Sequence, residues 1–133
     1  MILLDTGVIL AAFNKRDVNH SKCKRLMVRI LKGELGVPAV TDYVIDEVLS
    51  YASRRLGREG CLKLGSLFFE KNAFRVIPTT LDIVIKAWEI YKERAPALSF
   101  TDSTLLQVAK TYKVDYLVTL DRRLGVLYPS MSC

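Results

Sequence analysis

Four short apolar runs, Ile2–Leu4, Val37–Val40, Phe74–Ile77 and Tyr116–Leu120, are separated from one another by one or more helix-length amphipathic stretches. Runs this brief read as buried strands, and helix-length connections imply parallel pairing, because neighbouring parallel strands need a crossover. Crossovers cover both faces of a sheet with helices. The expected class is therefore α/β, a three-layer α/β/α sandwich on a short, mainly parallel, Rossmann-like sheet.

The stretches between the strands support this reading. A short helix is expected over Thr6–Phe13. From Asn19 to Lys32, Cys23, Leu26, Met27 and Ile30 recur at helical spacing, with Lys22, Arg25, Arg29 and Lys32 forming a basic stripe on another face. Thr41 can cap a long helix whose buried stripe is Val44, Ile45, Val48, Leu49, Ala52 and Leu56. Gly57 and Gly60 then interrupt, and a further helix is expected over Cys61–Phe69. Thr80 can cap the next, whose Leu81, Val84, Ile85, Trp88 and Tyr91 follow a 3.6 period up to Pro96, and another spans Thr101–Tyr112. Beyond Leu124, Val126–Tyr128 reads as a terminal edge strand. No repeat, low-complexity stretch or Pro/Gly/Ser-rich linker divides the chain, so residues 1–133 are expected to form one domain.

Charge narrows the possible partners. The chain carries 20 Lys and Arg against 14 Asp and Glu. The whole surplus of +6 sits between Lys15 and Lys32, where seven basic residues face the single acid Asp17. So localised an excess points to an anionic partner, with nucleic acid the first candidate. Three cysteines, Cys23, Cys61 and Cys133, form no CxxC pair and suggest neither a disulfide framework nor a zinc knuckle. Met1–Leu4 lacks a basic leader, and no apolar run approaches the roughly 18 residues of a membrane span. A soluble protein of a reducing cytoplasm, with no membrane partner, is expected.

In open α/β sheets, sites form beyond the carboxyl ends of the strands. Asp5 and Asp121 each close an apolar run, Asp102 opens the helix before the last clear strand, and Glu47 lies off the apolar stripe of the helix that Thr41 caps. All four carboxylates can reach one sheet edge. Taken singly, an Asp at such a junction reads as an N-cap, Glu47 as a solvated helix residue, and Thr6 and Thr119 as caps or strand formers. Together, the acids would repel one another and take up protons unless a hard cation neutralised them, and Mg2+ or Mn2+ suits such oxygen ligands. Such ions polarise phosphodiesters and acidify bound water. His20 gives little support to a histidine mechanism, and no Gly-rich phosphate loop follows Asp5-Thr6-Gly7.

Four segments carry a family resemblance: Leu4-Asp5-Thr6-Gly7-Val8-Ile9, Thr41-Asp42-Tyr43-Val44-Ile45-Asp46-Glu47-Val48, Leu98-Ser99-Phe100-Thr101-Asp102-Ser103 and Leu117-Val118-Thr119-Leu120-Asp121-Arg122-Arg123-Leu124. In this order and spacing they resemble the motifs of PIN-domain ribonucleases, over nearly the whole chain. The resemblance implies a three-layer PIN fold, Mg2+ or Mn2+ held by Asp5, Glu47, Asp102 and Asp121, supporting hydroxyls at Thr6 and Thr119, and cleavage of RNA. It singles out Glu47 from its neighbours Asp42 and Asp46. It also implies a homodimer and, in VapC-type members, an antitoxin partner. Gly7 stands where the family often has Asn or Ser, and Leu124 where it often has an aromatic.

The expectation is thus a metal-dependent endoribonuclease, the toxin of a toxin–antitoxin pair or an RNA-processing enzyme, with Lys22, Arg25, Arg29 and Lys32 as candidates for gripping phosphates. A non-catalytic RNA- or protein-binding module on the same scaffold would be expected to have lost one or more of the acids. A phosphoryl-transfer or receiver domain using Asp5 would need a second acid beside it, where this chain has Thr6 and Gly7.

Overall fold

A computed structural model describes all 133 residues. In chain order the elements are β1 (Ile2–Leu4), α1 (Thr6–Phe13), α2 (His20–Leu31), β2 (Pro38–Thr41), α3 (Asp42–Arg55), α4 (Gly57–Phe69), β3 (Arg75–Ile77), α5 (Leu81–Arg94), α6 (Phe100–Tyr112), β4 (Tyr116–Val118), α7 (Arg122–Gly125) and β5 (Ser130–Met131). The five strands form one sheet in the order β3-β2-β1-β4-β5, with every neighbouring pair parallel. The strand order reverses after β1, which places the carboxyl ends of β1 and β4 side by side at the crevice where α/β proteins build sites.

Ile2, Leu3, Leu4, Leu117 and Val118 are completely buried. Such central strands are covered on both faces, hence their unbroken apolar character. The helices start where side chains satisfy their first N–H groups. Thr41 Oγ1 accepts from Val44 N at 3.2 Å, and Thr80 Oγ1 accepts from Ile83 N at 3.4 Å. Ser99 and Asp102 form a reciprocal capping box at the start of α6.

Several elements depart from expectation. α4 begins at Gly57, not Cys61, because Gly57 takes the left-handed φ of +68° that turns the corner directly after α3. α5 is rotated relative to the face its periodicity suggests. Ile83 and Ala87 are buried, while Leu81, Ile85 and Trp88 are at least half exposed. The inward face packs beside α6, where Tyr91 meets Phe100 edge-on at 5.7 Å.

The terminal strand is Ser130–Met131 rather than Val126–Tyr128. Tyr128 instead turns its hydroxyl inward to donate to Val114 O at 2.6 Å. Pro129 lacks an N–H, but its carbonyl accepts from Leu117 N at 2.9 Å and so leads into the strand.

The cysteine reading is also corrected, since Cys23 of α2 and Cys133 form a disulfide and Cys61 is free. Their separation of 110 residues hid the pair; β5 closes the sheet edge beside α2 and brings them together. The cysteines therefore give no ground for assigning a reducing compartment. No helix is long and apolar enough to cross a membrane.

Candidate functional site

β1 ends at Leu4, and the next residue turns out of the sheet to begin α1. Asp5 N still donates to Val118 O at 2.9 Å, so the backbone of Asp5 is fixed by β4. Its side chain is only 8% exposed and accepts two hydrogen bonds, from Thr6 N at 2.8 Å and from Thr119 Oγ1 at 2.8 Å. Thr119 lies just beyond β4. Its hydroxyl donates to Asp5 and accepts from Asp121 N at 3.0 Å, while its backbone N donates to Met131 O of β5 at 3.1 Å. One threonine thus joins three adjacent strand ends.

Glu47 enters from the second turn of α3, where it is exposed, and its carboxylate accepts from Thr6 Oγ1 at 2.7 Å. The two hydroxyl contacts, Thr119 to Asp5 and Thr6 to Glu47, bring together residues of three separate sequence segments. Burial pushes the Asp5 carboxyl up to about 6 from an ordinary 3.8; the hydrogen bond from Thr119 opposes this, the Asp102 charge adds to it, that from Thr6 opposes it, and the Glu47 charge adds again. A buried carboxylate among other carboxylates is one that a cation would stabilise.

The other two acids are engaged locally. Asp102 Oδ2 accepts from Ser99 N at 3.2 Å within the capping box. Asp121 Oδ1 caps α7, accepting from Arg123 N at 2.8 Å and Leu124 N at 3.4 Å. The capping role that each Asp suggests when taken singly is therefore present, at Asp5, Asp102 and Asp121 alike. No group of three or more His, Cys, Asp or Glu side chains is gathered closely enough to hold an ion in this arrangement. The donor chemistry nonetheless suits a hard cation, since Asp5, Glu47, Asp102 and Asp121 all offer carboxylate oxygens around one sheet edge.

Asp42 and Asp46 are exposed, and Asp42 accepts from Thr79 N at 2.8 Å, which ties α3 to the segment before α5. With Glu47, Tyr43 and Thr101 they line an open hollow of about 370 Å³. A larger hollow of about 570 Å³ opens beside Thr119 and Asp121, bounded by Asn19, Arg122, Ser132 and Cys133. Ser132 and Cys133 also border the hollow lined by Lys22, Arg25 and Arg29, so the basic face of α2 reaches the acids across the C-terminal residues. All four basic candidates are exposed; Arg29 is paired with Glu34 at 3.0 Å, and Lys32 stands beyond that hollow.

Sequence reading missed the part played by Ser99 and by Met131. The spacing Ser99-x-x-Asp102 is a capping-box signal that could have found the first. The second is a backbone contact and leaves no trace in residue type. His20 proves structural, its Nδ1 lying 2.9 Å from Ala11 O between α1 and α2.

Comparison with known proteins agrees with this architecture. The family described as PIN domain matches residues 2–128. A curated relative from Archaeoglobus fulgidus, named VapC ribonuclease, is 28% identical over 127 residues, covering 93% of this chain and 79% of the relative. Among solved structures, the Mycobacterium tuberculosis VapC20, described as a sarcin-ricin-loop-cleaving toxin, superposes with a TM-score of 0.81 at 23% identity, covering 95% of this chain and 94% of that one. A toxin–antitoxin complex from Klebsiella pneumoniae gives 0.70 at 17% identity, covering 94% and 90%. At such identities the structural likeness speaks for the fold.

Proposed function

The chain belongs to the PIN-domain family, and from that premise we propose that it is a metal-dependent endoribonuclease whose site is Asp5, Glu47, Asp102 and Asp121. The observation that carries this reading is the pair of hydroxyl bridges, Thr119 to Asp5 and Thr6 to Glu47, each within 2.8 Å, which hold acids from distant segments at one sheet edge. Asp5, Asp102 and Asp121, with help from Glu47, would hold Mg2+ or Mn2+, which would offset the charge of these carboxylates and supply Lewis acidity toward a phosphodiester.

The protein's own groups do the rest. Thr119 keeps one Asp5 oxygen turned toward β4, and Thr6 N fixes the other at the start of α1. Glu47 is exposed and held by a single hydroxyl donor, so its free oxygen can orient an attacking water. Lys22 and Arg25 hold phosphates of the substrate strand, with Arg29 and Lys32 extending the same face; these contacts position the RNA without reading its bases.

The names of the relatives support a toxin role with a cognate antitoxin protein as partner; a second copy of this chain is the further partner that the family resemblance implies. The site is tested by incubating purified protein with RNA and Mn2+. Cleavage should stop on adding chelator, and Asp5→Asn and Asp102→Asn should each lower the rate at least about 100-fold, as expected when a group central to charge stabilisation is lost. Undiminished cutting by both variants would remove these residues from the site.

A further inference from the structure

α1 and α3 leave the acid site side by side, and the seam between them ends in a second, basic hollow. Glu47, Tyr51 and Arg55 are spaced four residues apart along α3, so they form one row on one helix face, about 12 Å from end to end. Two side-chain hydrogen bonds stitch this row to α1. At the acid end Thr6 donates to Glu47, and beyond the other end of α1 Asn14 Nδ2 donates to Tyr51 Oη at 3.3 Å.

Past that second stitch lies a hollow of about 570 Å³ lined by Asn14, Arg16, Asp17, Tyr51, Arg55 and Leu56. Arg16 and Arg55 are exposed, and neither makes an ion pair with any acid of the protein. Asp17, the one acid in the hollow, is occupied locally, its Oδ1 accepting from Asn19 N at 2.8 Å. Two unpaired guanidinium groups facing one such hollow make a site for a phosphate, and a guanidinium fork matches phosphate oxygens bidentately.

We propose that this hollow is a subsite for a backbone phosphate of the RNA strand, flanking the scissile phosphate and reached along the seam between α1 and α3. It rests on the ribonuclease reading and extends it, because it gives the substrate strand a direction across the protein. The strand runs from the acids along Glu47, Tyr51 and Arg55, on a path distinct from the α2 face. Substrates too short to span the row cannot use it.

The test measures binding of single-stranded RNA to the full chain carrying Asp102→Asn, so that affinity is read without cleavage. Arg16→Gln/Arg55→Gln is compared with the charge-matched control Lys63→Gln/Lys110→Gln, whose sites are exposed on α4 and α6. For a 12-nucleotide RNA, the arginine pair should weaken binding about tenfold and reduce the slope of log affinity against log salt by about 0.7, the value for one lost phosphate contact on a single strand. A dinucleotide should bind both proteins equally. If the arginine pair matches its control on the longer RNA while the parent chain still cuts RNA, the subsite is overturned and the ribonuclease reading stands. If the parent neither binds nor cuts RNA with Mn2+ present, that reading fails and takes the subsite with it.

Discussion

Asp5 answers two opposing demands. Its place at the end of a fully buried strand keeps it next to Thr119, while the same burial and the nearby Asp102 and Glu47 make its negative charge costly. A rise from 3.8 to about 6 corresponds to about 3 kcal/mol between the two protonation states. The sign follows from linkage. Below about pH 4 Asp5 is protonated in both folded and unfolded chains and costs nothing. Between about 4 and 6 the folded state holds the proton more tightly, so stability falls as pH rises, and above about 6 the full penalty is present. Metal-free Asp5→Asn should accordingly be more stable than the parent at pH 7, by up to about 3 kcal/mol, and equal to it at pH 3.5. Urea unfolding at the two pH values, with chelator present, measures this directly, and an equal difference at both would contradict it. A carboxyl whose charge burial makes costly suits the role proposed for Asp5, because strongly perturbed groups cluster at functional sites.

At the scale of elements, α5 shows how far periodicity alone can mislead. Leu81, Ile85 and Trp88, the last the largest apolar residue of the helix, point outward, yet Ile83 and Ala87 face the core. Replacing Ile83 with Ala should cost about 2–4 kcal/mol, because it empties a filled position, whereas Trp88→Ala should cost under about 1.5 kcal/mol despite deleting a larger side chain. Thermal denaturation of the two variants checks the rotation, and the reverse ranking would refute it.

The same helix marks a boundary of what the sequence could reveal. Strands buried on both faces, such as Ile2–Leu4, read directly, because every residue must be apolar. A helix against one face of a sheet offers several near-equivalent apolar stripes, and its neighbours choose among them. Asp5, Asp102 and Asp121 were legible as candidates because each ends a strand or opens a helix, whereas Glu47, inside α3, was singled out by the family resemblance. The hydroxyl bridges that join them, Thr6 to Glu47 and Thr119 to Asp5, connect residues 41 and 114 positions apart and required the fold itself. α7 is a four-residue helix capped by Asp121, too short to leave a periodic trace.

Over the whole molecule, the disulfide between Cys23 and Cys133 is the longest covalent link in the chain, closing a loop of 110 residues. In the chain-entropy account, constraining so long a loop in the unfolded state stabilises the fold by about 5 kcal/mol. Cys133→Ser should therefore lower the melting temperature by roughly 15 °C for a domain of this size. Calorimetry of the variant against the oxidised parent tests this, and Cys61→Ser, which removes the free thiol, serves as the control. Coincident melting of Cys133→Ser and parent would show that the bond contributes nothing.

That closed loop also sorts the chain into two unequal parts. β2, β3, β4 and β5 all lie on the covalent circuit, but β1 does not, although it is the strand at the middle of the sheet. A protease cut at any exposed turn within the circuit leaves a single molecule under oxidising conditions. A cut in the turn between α1 and α2, where Val18 stands 96% exposed, divides it in two. The piece set free would be β1 and α1, held by its neighbours β2 and β4 and the adjoining helices without any covalent bond, and it would carry away Asp5 and Thr6. The protein can thus be nicked almost anywhere and remain whole, except at the one place where a nick makes its first acid a separable part.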